Sequence, residues 1–148
     1  MPPIHFFFPY NQFTLKNREL LKSFISQLFR KEKKTLGSLQ YIFCSDEFLL
    51  DINRQYLRHD YYTDIITFDL ASPGAPVEGE IYISAERVKE NAKLLCSTIT
   101  EELHRVIFHG ALHLCGYKDK LKAEKEIMQQ QENRYLQLYF TKKAAGST

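Results

Sequence analysis

The hydrophobic residues of this chain change their period along its length, and that change limits its fold more than any other feature. Leu20, Leu21, Phe24, Ile25, Leu28 and Phe29 recur at helical spacing with lysines and arginines between them, which predicts a helix over 15–34. Around it stand short apolar runs of strand length. The first, 4–8, is bounded by prolines and suits a sheet edge; the others are 39–44, 65–70 and 80–84. Ser45-Asp46 closes the second run and offers an N-cap for a short helix over 47–57. Ala71-Ser72-Pro73-Gly74-Ala75-Pro76 is a turn-forming loop between the third run and the fourth. Residues 85–95 place Ala85, Val88, Ala92 and Leu95 on one helical face. Thr100 and the two glutamates after it open a further helix, which runs to about Cys115 and stops at Gly116. A last helix covers 122–140, and 141–148 read as a polar, flexible tail. A few strands and about five helices, with no repeat and no linker, predict one mixed α/β domain over 1–148.

Composition agrees and excludes several classes. A chain of 148 residues that is 44% hydrophobic can bury roughly 70% of its unfolded surface, so it needs no staples. Cys44, Cys96 and Cys115 are odd in number and widely spaced, which predicts reduced, mostly buried thiols and no disulfide-linked partner. No apolar stretch approaches the ~18 residues a membrane helix needs. The first positive charge is Lys16, so the N-terminus lacks the basic segment of a signal peptide. The expectation is a cytoplasmic protein with no membrane partner. Net charge is only +2, but its distribution is uneven: residues 1–34 balance to +5, residues 35–102 to −7 and residues 103–148 to +4. Two basic ends that meet in the fold would make a patch for phosphate; two that do not are solvated helix faces.

The segment richest in chemistry is His109-Gly110-Ala111-Leu112-His113-Leu114-Cys115-Gly116-Tyr117-Lys118-Asp119. Two histidines four apart on a helix leave it from the same face and can reach one metal ion. Gly116 ends the helix, and the chain turns back so that Asp119 can return as a third ligand. Leu103, Ile107, Gly110 and Leu114 form the apolar stripe, which sets the histidines at the margin of the core, on a face shared with Glu102 and Val106. Spacing alone divides evenly between a metal site and a pair of structural histidines. It does argue against a zinc peptidase, because the residue after the first histidine is Gly110 and not the glutamate base such enzymes use.

Two other segments stand out. Arg54, Arg58, His59, Asp60, Tyr61, Tyr62, Thr63 and Asp64 gather between the second helix and a strand, and Gly79-Glu80-Ile81-Tyr82-Ile83 forms the start of another strand. Taken alone, the first is a helix end with turn-capping residues.

Together, and in this order, the three segments resemble the YbeY family of rRNA-maturation endoribonucleases. The family's metal motif H-G-x-L-H-L-x-G-Y-D-H is met at His109, Gly110, Leu112, His113, Leu114, Gly116 and Tyr117. Its motif N-x-x-Y-R-x-x-D-x-P-T-D-V-L-S-F is met at Asn53, Tyr56, Asp60, Thr63, Asp64 and Phe68, and its G-D-I-x-I strand at Gly79, Ile81 and Ile83, with Glu80 for the aspartate. Besides Glu80, the chain departs where Tyr62 stands for the proline before Thr63, and at three further positions. Asp119 replaces the third histidine, Lys118 the aspartate before it, and Leu57 the family arginine, with Arg58 one place along.

The resemblance implies an α+β fold, a small mixed four-stranded sheet packed with about five helices, the metal-site helix central. It implies a metal-dependent endoribonuclease specific for single strands, acting in 16S rRNA 3′-end maturation and ribosome quality control. Its partners would be precursor rRNA, the small ribosomal subunit and assembly proteins. One divalent ion would sit on His109, His113 and Asp119. Zinc is the family's metal, and the carboxylate admits manganese, iron or nickel. His109 and Arg58 would be catalytic, Glu102 a candidate base, and Arg54, His59, Tyr61 and Lys118 would contact substrate. Lysines and arginines of 16–34 would track the backbone, while Tyr61 and Tyr62 stack bases. Two readings compete: a hydrolase of another small phosphoester or amide, and a non-catalytic assembly factor with a structural metal.

Overall fold

The computed structural model describes residues 3–9 and 14–146; the last two residues of the predicted tail lie outside them. The elements are β1 (Ile4–Phe7), α1 (Arg18–Lys31), β2 (Leu36–Cys44), α2 (Asp46–Tyr56), β3 (Ile65–Asp69), β4 (Val77–Ser84), α3 (Ala85–Leu94), α4 (Ile99–Leu114) and α5 (Lys122–Gly146). The strands form one mixed sheet in the order β1-β2-β4-β3. β1, β2 and β4 are parallel, and β3 returns antiparallel to β4 through the turn at Gly74. The expected α+β architecture and the edge position of β1 are both present.

The two-residue period of the strands decides which helices cover which face. Leu39, Tyr41 and Phe43 of β2 lie in register with Gly79, Ile81 and Ile83 of β4. These residues share one core with Leu21, Phe24 and Leu28 of α1, Ile107 and Phe108 of α4, and Tyr135 and Tyr139 of α5. The other face is smaller: Cys44 and Ile66 pack with Leu49 and Ile52 of α2, flanked by Phe68 and Tyr82. Local capping sets the helix starts. Ser45 Oγ accepts from Phe48 N, Ser84 Oγ from Arg87 N and Thr98 Oγ1 from Glu101 N.

α4 is the hub. It packs on α1, α3, α5, β3 and β4, and Tyr41 Oη donates to its Ile107 carbonyl at 2.9 Å. Gly110 sits where α4 crosses the sheet: a Cβ there would come within 2.8 Å of Ile81 Cδ1 and 3.1 Å of Ile65 Cδ1.

Several boundaries differ from the sequence reading: α1 spans Arg18–Lys31 instead of 15–34, and β2 begins at Leu36 instead of residue 39. β4 begins at Val77, because pairing with β2 carries it back past Glu80. α4 is capped by Thr98 instead of Thr100. α5 extends through Gly146, past the predicted end at residue 140. α4 is also buried well beyond its predicted stripe, at His104, Phe108, Ala111 and Leu112, since α5 closes over its far side.

Candidate metal centre

The end of α4 brings three candidate ligands together. Gly116 adopts φ 109°, a left-handed conformation glycine takes without strain. Its N–H bonds the His113 carbonyl at 3.0 Å, and Tyr117 N bonds the Leu112 carbonyl at 3.1 Å. This paired closure of the last turn reverses the chain. The reversal aims the Tyr117 carbonyl back at the helix, where it accepts from His113 Nδ1 at 2.9 Å. It also returns Asp119, whose Oδ2 lies 3.2 Å from His109 Nε2 and 3.4 Å from His113 Nε2.

A second clamp comes from α5. Glu132 is buried, and its Oε2 accepts from His109 Nδ1. Both Nδ1 atoms are therefore occupied, and both Nε2 atoms face Asp119. The ligand atoms of His109, His113 and Asp119 all fall within 4.8 Å of one another, so the group could hold a metal ion. The donor set fits a divalent first-row ion: two imidazoles, one carboxylate, and an outer partner fixing each imidazole's tautomer.

Charge reinforces the geometry. Burial works against a proton on His109, but Glu132, Asp119 and Asp64 outweigh it and push the imidazole above its ordinary range. The same field favours a bound cation. Burial pushes the Asp64 carboxyl up, with the charge on His109 opposing. Glu102 is raised first by burial and then by Asp64, while Arg105 opposes.

The three ligands lie in a cleft of about 700 Å³ between α4, the β3 edge and the segment leading into it. Of the residues singled out in the sequence, His59 and Tyr61 also line it, as do Glu102 and Asp64. The His59 and Tyr61 rings stack 5.1 Å apart at 20°, joined by a 2.9 Å contact from Tyr61 Oη to His59 Nδ1. Arg58, Arg54 and Lys118 are exposed and outside the lining. Arg54 is held instead by Asp60, at 2.5 Å, and Asp51. Arg58 follows the end of α2 with φ 56°, and it is Leu57 beside it that lines the cleft. No residue of 16–34 borders the cleft among the described residues.

Among the cleft residues missed from the sequence are Glu132 and Arg105. Glu132 carries a signal in hindsight: it is an acid in the apolar stripe Met128, Tyr135, Leu136 and Tyr139 of α5. Arg105 stands one turn before His109 on α4, and its Nη1 donates to Glu132 Oε1 at 3.1 Å.

Residues 10–139 match the family model described as Endoribonuclease YbeY. The chain belongs to the YbeY family. An Endoribonuclease YbeY from Cytophaga hutchinsonii is 50% identical over 91% of this chain and 94% of its own length. One from Parabacteroides distasonis is 56% identical over 70% of this chain and 72% of its own. A solution structure of a Thermotoga maritima protein superposes with a TM-score of 0.66 at 26% identity, covering 97% of this chain and 93% of that one. Membership of the YbeY family places the chain among RNA-cleaving hydrolases and accounts for the α+β fold.

Proposed function

We propose that this YbeY-family chain, folded as one domain over 1–148, is a single-strand-specific endoribonuclease. Its task is 3′-end maturation of 16S rRNA and ribosome quality control in the cytoplasm, beside the small subunit and its assembly proteins. The observation that carries this reading is the convergence of His109, His113 and Asp119 on one point of an open cleft. His109, His113 and Asp119 would hold one divalent ion, zinc first, with manganese, iron or nickel admitted by the carboxylate. When bound, such an ion supplies Lewis acidity toward a phosphate oxygen and activates water.

The chain's own groups do the rest. Glu132 and the Tyr117 carbonyl keep both imidazoles in the tautomer that presents Nε2. Glu102 and Asp64 line the cleft as carboxyls raised by burial; in this reading they relay the proton, with Glu102 the base. The stacked His59 and Tyr61 rings offer a surface on which a splayed base can lie. Arg54, Arg58 and Lys118, exposed outside the cleft, are assigned to flanking phosphates.

The test is metal content by plasma mass spectrometry of untagged protein beside Asp119→Ala. About one equivalent in the native protein and a clear loss in the variant is expected. Equal content in both would overturn the ligand set.

A further inference from the structure

A cleft that takes a phosphodiester needs positive charge, and this one is short of it. Its lining holds five carboxylates, Asp64, Asp69, Glu102, Asp119 and Glu132, against two permanent cations, Arg105 and Lys120. A phosphodiester brings one negative charge, and more collects on its non-bridging oxygens as the phosphorus is attacked. The α2 end contributes no permanent cation to the cleft: Asn53, Leu57 and His59 line it and Arg58 does not.

We propose that Arg105 is the guanidinium that holds the scissile phosphate; this rests on the RNA reading above. Arg105, His109 and His113 follow at intervals of four on α4, so they rise in one row, one helical turn apart. The Arg105 side chain is 25% exposed, which leaves it reachable from the cleft. Among the described residues one hydrogen bond engages it, from Nη1 to Glu132 Oε1 at 3.1 Å. Guanidinium has five donors, and the others can meet a phosphate in the two-pronged geometry lysine lacks.

Glu132 makes the arrangement specific. One carboxylate oxygen holds Arg105 and the other holds His109, so a single side chain of α5 sets the spacing between the cation and the ligand. Lys120 is the contrasting case: it is exposed, on the loop after Asp119, and among the described residues no side-chain hydrogen bond or ion pair orients its ammonium.

The experiment measures anisotropy of a labelled single-stranded 2′-O-methyl oligoribonucleotide against salt, and in parallel the cleavage rate of the matching RNA at saturation. Native protein, Arg105→Ala and Arg105→Lys are compared at equal metal content and with matched circular-dichroism melts. Loss of one phosphate contact should lower the slope of log K against log salt by about 0.7 in Arg105→Ala. Cleavage should fall roughly 100-fold. Arg105→Lys should keep the slope and still lose most of the rate. Because that variant retains the charge beside Glu132, it carries the test if Arg105→Ala fails to fold. Native slope and rate in Arg105→Ala, or native rate in Arg105→Lys, overturns the assignment. Native protein that neither binds nor cuts RNA fails a step earlier, at the RNA reading, and removes this assignment with it.

Discussion

At the scale of single residues the site is a balance of buried charge. Four acids, Asp64, Glu102, Asp119 and Glu132, line the cleft with two imidazoles and one guanidinium, and they repel one another when no metal ion is bound. Asp64 shows the consequence. Burial raises its carboxyl, so the folded protein holds that proton more tightly than the unfolded chain does. Ionising it at neutral pH therefore costs stability, and the cost vanishes as the pH falls through the folded-state value toward 3.8. Metal-free Asp64→Asn should accordingly melt higher than the native protein at pH 7, the gap closing near pH 4. The amide keeps an acceptor for Asn91 Nδ2, which bonds Asp64 Oδ2 at 3.4 Å. A lower melting temperature for the variant at pH 7 would show that Asp64 is stabilised by something other than this field. The ligands were legible at this scale because His109, His113, Gly116 and Asp119 lie within eleven consecutive residues. Glu132 was not, because what makes it functional is a contact 23 residues away across two helices.

At the scale of elements, the position of α4 against the sheet sets where the site stands. Leu114 lies over Gly79, whose absent Cβ would otherwise meet Leu114 Cδ1 at 2.6 Å, and Gly110 lies over Ile81. Both contacts depend on a missing side chain. Gly110→Leu should destabilise the protein by about 1–3 kcal/mol from overpacking, partly offset by up to about 1 kcal/mol of helix propensity. Urea unfolding would read the loss, and a variant as stable as the native protein would show that α4 can lift without cost. Most elements were readable from a clear hydrophobic period, and α2 from its Ser45 cap as well. The starts of β4 and α4 were not. Val77, Glu78 and Gly79 are held by pairing with β2, a long-range contact with no local signature. Thr98 and Thr100 are equally good caps in isolation, and the choice falls to where the helix must begin to lie on the sheet.

At the scale of the whole molecule, charge divides between inside and outside. The acidic middle of the chain supplies Asp64, Asp69 and Glu102 to the cleft. The basic ends do meet: α1 packs on α5, and Lys142 Nζ donates to Gln27 Oε1 at 2.8 Å. That basic face is separate from the cleft lining, which no described residue of 16–34 borders. Cys44 and Cys115 are buried, as expected of reduced thiols, while Cys96 is exposed. No helix among the described residues is long and apolar enough to cross a membrane. The central claim is that His109, His113 and Asp119 hold the ion on which RNA cleavage depends. Its most direct test is a titration: chelator-stripped protein, a labelled single-stranded RNA, and Zn²⁺ added in fractions of an equivalent. Cleavage should be absent at the start, rise linearly, break at about one equivalent, and stay absent in His113→Ala. Stripped protein or His113→Ala that cuts at the full rate would contradict it.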